Sequence, residues 1–515
     1  MEKKELLNQT ANIILLLCLI LMMTACSSTR HVPEGDYLLD KVNIDINDST
    51  KRVSASELST YIRQMPNHKM LWSMKFRLGV YNMSGNDTTK WWNRWVRKLG
   101  EAPVVYDSTL MQASVEQLEK AMVNKGFLYA SASADTMRND RKKKIQVNYH
   151  VHPGTQYIVD NIDYEFPDTT FRRMVMNDSN HFIVRKGIPL DRSLLEQQRE
   201  YIASMLKNQG YYGFSKEFVT FNADTTSGSN KVDLTLTINP PYAKPTGNVM
   251  THEKYYIRNI SYITDFDPSL GISAEDIIST AHKQDYRDLE IYSKGKSYLR
   301  PGVLYENCFI RAGQPYNQGL VDRTYSSLSR LGILKFINIA FEPAGTEDGK
   351  NMLDAFILLT PAKSQTVSFE LEGTNSEGDL GVAASVTYIH RNVGKGSETL
   401  STKLRGAYES LSGDLEGLIH NRYMEYSVDV GVSFPKFKAP FLKEGFKRRI
   451  NATSELNFSM SYQERPEYTR IISTAGWSYR WVNRRDKNVY LFTPIDINYV
   501  YLPESTIDFI NNIIF

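Results

Sequence analysis

The fold is decided by the stretch from Gly187 to Ile238, which reads GIPLDRSLLEQQREYIASMLKNQGYYGFSKEFVTFNADTTSGSNKVDLTLTI. Apolar residues recur at helical spacing from Leu194 to Leu206, and Asp191 before them is a good N-cap residue. Gly210 follows where helices commonly end in a left-handed residue, a conformation that glycine adopts at little cost. Apolar and polar residues then alternate from Val232 to Ile238. The stretch therefore predicts a helix, a glycine stop and two strands, which is half of an α+β domain.

The same order of elements occurs in two further copies. In each copy a helix runs into a glycine, two strands follow, and a proline ends the unit; the three stops read NKGFLY around Gly126, NQGYYG around Gly210 and RLGILK around Gly332. In the first copy we expect a helix near Ser108–Asn124 and strands at Leu128–Ala134 and Ile145–Val151. Tandem copies predict an array of small domains and not one globule. We place the repeats at residues 37–154 (with an insertion at 67–102), 155–241 and 254–362.

The pattern changes after residue 363. About seven segments of nine to eleven residues now alternate strictly between apolar and polar side chains, which is typical of strands in an outer-membrane β-barrel. A soluble β-sandwich would also have one apolar face. We favour the barrel, because the polar faces carry many charges and no second set of core strands follows. Residues 363–515 are therefore predicted to form the N-terminal part of a transmembrane barrel.

The N-terminus has the features of an export signal. Lys3 and Lys4 precede an apolar run from Ile13 to Met23, and Thr24-Ala25-Cys26 follows. This order is similar to a bacterial lipobox, so we predict a signal peptide at residues 1–25, a lipid on Cys26 and a tether at 26–36. An ordinary secretory signal is the alternative, and in both cases the mature chain leaves the cytoplasm.

Composition excludes several classes of protein. The 515 residues carry a formal net charge of only +3, with basic residues scattered along the chain, which argues against nucleic-acid binding. Cys308 is the one cysteine left after processing and lipidation, so no intrachain disulfide is expected. His150 and His152 share a strand face, but the sequence shows no carboxylate or cysteine pair with them. We expect no metal, no cofactor and no enzymatic activity.

The insertion in the first repeat contains the segment KWWNRWVRK, Lys90–Lys98. On a helix, Trp91, Trp95 and Leu99 share one face with cations beside them, which is a pattern of membrane-interface helices. The alternative is that the tryptophans pack against the first repeat. Both interpretations remain open at this stage.

Taken together, these features resemble the BamA/TamA outer-membrane assembly family, and most closely its lipidated, TamL-type members. The resemblance lies in Cys26, the repeat closures at Gly126, Gly210 and Gly332, the barrel entry Gly373–Leu400 and the turn Ser433–Phe441. It implies tandem α+β repeats of the POTRA type followed by an antiparallel transmembrane β-barrel. It also implies a periplasmic arm, outer-membrane lipid around the barrel, nascent outer-membrane or surface proteins as clients, and a periplasmic assembly partner.

The resemblance further implies two kinds of site. Cys26 would carry the lipid. The first barrel strand would be one side of a lateral gate at which client strands pair by β-augmentation; its residues are Thr366, Val367, Ser368, Phe369, Glu370, Leu371 and Glu372. The alternative is that this segment is only a barrel strand.

One departure from the family concerns the number of strands. Barrels of that family have more than seven strands, and a closed antiparallel barrel that starts and ends in the periplasm needs an even number. We therefore expect these residues to be the N-terminal half of a longer barrel, and the protein to be inactive if the C-terminal half is missing. The alternative function is a membrane-tethered periplasmic interaction scaffold without a working barrel.

Overall fold

A computed structural model describes the chain in segments, which are residues 28–47, 52–69, 75–166, 169–226, 230–241, 251–271, 274–295, 297–376, 379–410, 422–450, 452–482 and 488–505. The predicted signal peptide and Cys26 lie outside these residues. The chain divides into two compact units, one formed by residues up to 203 with 215–250, and one formed by 204–214 with residues from 251 onward.

The first repeat is a three-stranded sheet covered by helices. Its elements are β1 (Leu38–Ile46), α1 (Ala55–Leu58), α2 (Phe76–Asn82), α3 (Trp91–Leu99), α4 (Ser108–Asn124), β2 (Ser131–Asn139) and β3 (Lys144–His152). The strand order is β1-β3-β2, with β1 parallel and β2 antiparallel to β3. The Asp107 carboxylate accepts a hydrogen bond from the Thr109 amide (2.8 Å) and caps α4, which buries Val115, Leu118 and Met122 against the sheet.

The second repeat has the same plan. Its elements are β4 (Ile158–Glu165), α5 (Thr169–Asn177), α6 (Arg192–Lys207), β5 (Val219–Asp224) and β6 (Lys231–Ile238). The strand order is β4-β6-β5, again with a parallel first pair. The Ser193 amide donates to the Asp191 carboxylate (2.7 Å), which confirms the predicted N-cap. The apolar positions of β6, Val232, Leu234, Leu236 and Ile238, are all buried, so the predicted alternation is confirmed.

The third repeat is larger. Its elements are β7 (Tyr255–Ile263), α7 (Ala274–Thr280), β8 (His282–Tyr286), β9 (Leu289–Ser293), α8 (Pro301–Asn307), α9 (Gln318–Ser329), β10 (Leu334–Glu347) and β11 (Lys350–Pro361). The core of the sheet, β10-β11-β7, repeats the plan, and the hairpin β9-β8 extends it beyond β7. Cys308 is a free thiol in the core. Among the helices described, none is long and apolar enough to cross a membrane.

The C-terminal part of the described chain is one seven-stranded antiparallel sheet. Its elements are β12 (Gln365–Ser376), β13 (Asp379–Arg391), β14 (Thr399–Ser410), β15 (Arg422–Phe434), α10 (Glu444–Ile450), β16 (Thr453–Glu464), β17 (Tyr468–Val482) and β18 (Val489–Ser505). Each strand pairs with its sequence neighbour. In the residues described, β12 and β18 are not paired with each other, so the sheet is not closed. The predicted fold class, α+β repeats followed by about seven barrel-type strands, is confirmed.

The glycine stops are not all alike. Gly126 (φ 86°) and Gly210 (φ 110°) adopt the left-handed conformation that the pattern predicts. Gly332 is not among the residues with positive φ, so the prediction of a third equivalent stop is wrong. The chain there goes from α9 to β10 through two tight turns, in which Leu331 N bonds Leu328 O (2.9 Å) and Leu334 N bonds Leu331 O (3.0 Å), and this route needs no left-handed residue.

Candidate functional site

Gly126 and Gly210 each lie at a joint with the repeat that follows. The Gly126 carbonyl accepts a hydrogen bond from the Tyr157 amide (2.8 Å), and the Gly210 carbonyl accepts one from the Tyr255 amide (2.9 Å). A Cβ atom at Gly126 would lie 2.5 Å from the Leu190 carbonyl oxygen. Glycine is therefore required at Gly126 by the backbone angle and by the close approach together. The two joints use the same bond at the same point of the repeat.

The loop after α6 packs into the third repeat. The Tyr212 ring lies 5.0 Å from the ring of Tyr316, 5.7 Å from that of Phe341 and 5.9 Å from that of Tyr255, measured between centroids. The Asn208 side-chain oxygen accepts a hydrogen bond from the Gly319 amide (2.8 Å). Aromatic packing and satisfied polar groups both hold this loop in place.

In all three repeats the segment that leads into the main helix is hydrogen-bonded to the first strand of the sheet. It covers the outer edge of β1 and of β4, and in the third repeat it contacts the start of β7, ahead of the residues that pair with β9. These hydrogen bonds are Leu39 N to Val104 O (2.8 Å), Val159 N to Ile188 O (2.9 Å) and Ile257 N to Gln314 O (2.9 Å). Each segment ends at the residue that caps the following helix, namely Asp107, Asp191 or Asn317. The sequence predicted the glycine stops at Gly126 and Gly210 but not these segments. Their repeated signal is a short apolar or proline-containing run before an N-cap residue.

The opposite edge of each repeat is formed by β2, β5 or β10. Each of these strands pairs on one side only within the described part of the chain. At the start of β2, the Ala132 amide donates to the Glu119 carboxylate (2.9 Å), and no strand covers the rest of that edge among the residues described. An unpaired strand edge can bind an extended peptide through backbone hydrogen bonds.

The predicted strand-pairing residues all lie on β12. This strand pairs with β13 over its whole length, from Gln365–His390 to Ser376–Asp379, and its other edge has no partner strand in the described residues. The apolar side chains of Val367, Phe369 and Leu371 are exposed, with Phe369 at 77% and Leu371 at 88%. The structure thus presents the seven residues on one open edge, while their role in pairing with clients stays a prediction.

The other face of the seven-stranded sheet is polar and tied together by ion pairs. Glu370 Oε2 lies 3.3 Å from Lys403 Nζ, and the Arg405 guanidinium bridges Glu372 (3.3 Å) and Glu425 (3.1 Å). The Tyr423 hydroxyl also donates to Glu425 (2.7 Å). One apolar and exposed face and one charged face are what a strand between lipid and an aqueous lumen requires. A sandwich would bury the apolar face, and no second sheet covers it in the described chain.

The turns at one end of this sheet contact the third repeat. The Asn392 side-chain nitrogen Nδ2 donates to the Tyr298 carbonyl (2.6 Å), and the Arg300 backbone amide donates to the Lys395 carbonyl (2.9 Å). Lys436 Nζ lies 3.3 Å from Glu306. A cavity of about 420 Å³ lies at this junction, lined by side chains including Arg300, Lys436, Lys438 and Lys447. Burial alone would raise the pKa of Glu398 here, but backbone hydrogen bonds and Arg300 outweigh it and lower that pKa.

The expectation that no carboxylate accompanies His150 is wrong. Its ring lies between Asp45 (3.6 Å) and Asp135 (3.2 Å), because the pairing of β1, β3 and β2 brings together residues distant in sequence. All three side chains are substantially exposed, so these contacts lie at the protein surface. No group of three or more His, Cys, Asp or Glu side chains that could hold a metal occurs among the described residues.

Comparison with known proteins gives a family match in the first repeat. Residues 41–154 match the family described as "POTRA: Surface antigen variable number repeat". A search of curated proteins found no significant match.

Solved structures with similar folds come from several bacterial proteins. A fragment of Haemophilus influenzae BamA with POTRA domains 3–5 is 15% identical and covers 64% of this chain and 99% of that one (TM-score 0.31). Haemophilus ducreyi BamA lacking POTRA domains 1–3 is 12% identical and covers 64% of this chain and 60% of that one (TM-score 0.34). CdiB from Acinetobacter baumannii is 11% identical, with 68% and 63% covered (TM-score 0.27). The matched region thus spans less than two thirds of the length of the Haemophilus ducreyi BamA and Acinetobacter baumannii CdiB chains.

The family match and the fold together define a class of protein. In this class, POTRA-type repeats are followed along the chain by an antiparallel sheet that has one apolar, exposed face. Within that class, the family match shows a POTRA repeat at residues 41–154.

Proposed function

We propose that the protein is an outer-membrane assembly or translocation factor, in which the repeats guide client proteins to the seven-stranded sheet. The observation that carries this proposal is the open edge of β12 on a sheet with an apolar outer face, preceded by three repeats that each have an open strand edge. The clients would be nascent outer-membrane or surface proteins. Such proteins cross the periplasm in extended form and can add a strand to an open edge.

The mechanism requires no reacting side chain. A client strand would pair with the backbone of residues 366–372, and its apolar side chains would extend the exposed face of Val367, Phe369 and Leu371. Backbone hydrogen bonds supply affinity with little dependence on side-chain identity, which suits a factor that handles many clients. The polar face of the sheet, with Arg405 between two glutamates, would line the aqueous side.

We propose the outer membrane as the location, with the repeats in the periplasm and a lipid on Cys26, as in TamL-type members. Support for the anchor comes from the lipobox-like order Thr24-Ala25-Cys26. The described chain begins two residues later, and at Arg30 it is already bonded to the first repeat, since Arg30 Nη1 donates to the Asn82 carbonyl (3.1 Å).

Site-specific photo-crosslinking in cells tests the strand-pairing role. A benzophenone amino acid would replace Phe369 on the open edge strand β12, and in a matched control it would replace Leu404 on β14, which is also apolar and exposed but is paired on both sides. We expect adducts with outer-membrane proteins at position 369 and at most traces at position 404. Equal adducts at both positions, or none at position 369 in an expressed and folded protein, would contradict the proposal; the second result is what an inactive fragment predicts.

A scaffold without a working barrel is the competing function, and the open edges of the repeats support it equally well. The same probe at Thr136, on β2, separates the two. Partner adducts at Thr136 together with none at Phe369 would favour the scaffold. Compact gel migration before boiling, and slower migration after it, would favour a folded barrel.

A further inference from the structure

Helix α3 exposes its three tryptophans and buries Asn93 and Val96. Trp91, Trp92 and Trp95 are 70%, 50% and 49% exposed. The alternative that these tryptophans pack against the first repeat is therefore wrong. Large exposed apolar side chains grouped on one helix mark an interaction surface.

Polar contacts hold the buried side of α3 firmly. The Asn93 side chain donates to the Asp87 carbonyl (2.7 Å) and accepts from the Gly85 amide (2.9 Å). The Arg97 guanidinium donates to Ser84 Oγ (3.1 Å) and to the Gly85 carbonyl (3.0 Å). With these groups satisfied, the helix has a fixed orientation, and the exposure of its tryptophans is a property of the folded repeat.

The exposed side of α3 combines an aromatic cluster with positive charge. The Trp92 ring lies 5.8 Å from that of Trp91 and 5.2 Å from that of Trp95. Lys90, Arg94 and Lys98 follow at every fourth residue, and residues 88–100 contain no acidic residue. In the described part of the chain, no carboxylate lies within 4 Å of these three cations. Tryptophan prefers the membrane interface, and lysine and arginine are attracted to anionic headgroups.

The start of the described chain lies beside the same insertion. Arg30 bonds Asn82, the last residue of α2, and His31 Nε2 lies 3.1 Å from the Ser84 carbonyl oxygen. Cys26 is four residues before Arg30, a separation that an extended chain spans with at most about 14 Å. The proposed lipid anchor, on which this step rests, would therefore hold a bilayer next to the residues that position α3.

We propose that α3 is a membrane-docking helix, which inserts Trp91, Trp92 and Trp95 into the interface of an anionic bilayer and places Lys90, Arg94 and Lys98 among its headgroups. The occupant is lipid, because charge complementarity and the nearby anchor point to the same surface. This contact would fix the first repeat at the membrane surface.

Fluorescence of the full chain reconstituted into vesicles tests the proposal. The substitutions Trp72→Phe, Trp477→Phe and Trp481→Phe would leave only the α3 tryptophans. We expect brominated phospholipids to quench their emission, and quenching at least about twofold greater in vesicles containing phosphatidylglycerol than in phosphatidylcholine alone. Replacing Lys90, Arg94 and Lys98 by Gln should reduce quenching in anionic vesicles to the phosphatidylcholine level.

A matched control uses an exposed aromatic residue elsewhere in the same repeat. Tyr129 is 81% exposed, and Tyr129→Trp in a chain whose other tryptophans are Phe should be quenched by aqueous iodide and not by brominated lipid. The Cys26→Ser variant should retain quenching of the α3 tryptophans if α3 binds lipid itself, so loss of the anchor and failure of docking are distinguishable. The proposal would be overturned if iodide quenched the emission of the α3 tryptophans equally with and without anionic vesicles. It would also be overturned if the emission maximum of these tryptophans shifted with protein concentration in the absence of lipid.

Discussion

The repeats and the seven-stranded sheet follow the same alternation of side chains, but they place the apolar face in opposite environments. In β6 the apolar residues, such as Val232 and Leu234, are buried under helices, whereas in β12 the apolar residues Phe369 and Leu371 are exposed. The difference shows that alternation fixes which residues share a face and not what covers that face. Helices between the strands cover the sheets of the repeats, while the only helix described after residue 363 is the short α10.

The largest expected effect comes from the same substitution made in both regions. Leu234→Ala removes a fully buried side chain from the second repeat and should lower the stability of that repeat by about 2–5 kcal/mol, through lost burial and a cavity. Leu371→Ala on the exposed face should leave the repeats unchanged. Hydrogen exchange of β4–β6 in both variants measures this. Similar losses of protection in the two variants would contradict the assignment of the two faces.

A smaller effect is expected where glycine closes a joint. Gly126→Ala would force a side chain into the left-handed region and against the Leu190 carbonyl, at a cost of about 1–3 kcal/mol. Gly406, inside β14, is the control from the sheet, since its Cβ would lie 3.7 Å from the Tyr426 ring, an ordinary contact. Gly332→Ala, with open space at that position, should also be tolerated. Hydrogen exchange of the Tyr157 amide should accelerate in Gly126→Ala only. An unchanged exchange rate in that variant would contradict the role of Gly126 in holding the two repeats together.

The smallest effect is a pH dependence confined to the first repeat. Burial alone would raise the pKa of Asp40, but Lys75 (2.9 Å) and Lys144 (3.2 Å) outweigh it and lower that pKa below its ordinary value. The stabilisation is therefore present above the unfolded pKa of about 4 and is lost as the pH falls through the folded pKa, with a magnitude of at most about 1 kcal/mol.

Asp40→Asn tests this dependence. Hydrogen exchange of residues 76–82, corrected for intrinsic rates, should show lower protection at pH 3 than at pH 6 in the native chain and a weaker change in the variant. The seven-stranded sheet should respond identically in both proteins. An equal acid response of residues 76–82 in the two proteins would show that Asp40 is not the responsible group.

Regular elements with strong periodicity were predicted well. The helix expected at Ser108–Asn124 is observed with those bounds, since Asp107 caps it and its apolar stripe faces the sheet. The strand expected at Leu128–Ala134 instead begins at Ser131, because residues 128–130 complete the turn after Gly126. The hairpin β8-β9 was missed. Its strands are only five residues long, β8 is mostly exposed, and its turn uses Arg287 at positive φ in place of the usual glycine or asparagine.

The candidate sites were predicted unevenly. A resemblance to a family placed the strand-pairing residues on the first barrel strand, and the structure places all of them on one open edge. The open edges of β2, β5 and β10 could not be read from the chain, because an edge is defined by the absence of a neighbour. The orientation of Trp91 and Trp95 was likewise ambiguous, since an amphipathic stripe is compatible with either face being buried.

The sequence by itself determined the repeat plan, the glycines at two joints and the alternation of seven strands, because periodicity and backbone freedom are local properties of the chain. Only the tertiary structure decided which strands lie at edges, that Gly332 is no joint, that His150 lies between Asp45 and Asp135, and that α3 presents its tryptophans outward. These outcomes depend on contacts between residues far apart in sequence. The register of the strands and the polar contacts of Asn93 and Arg97 set them, and no local pattern contains that information.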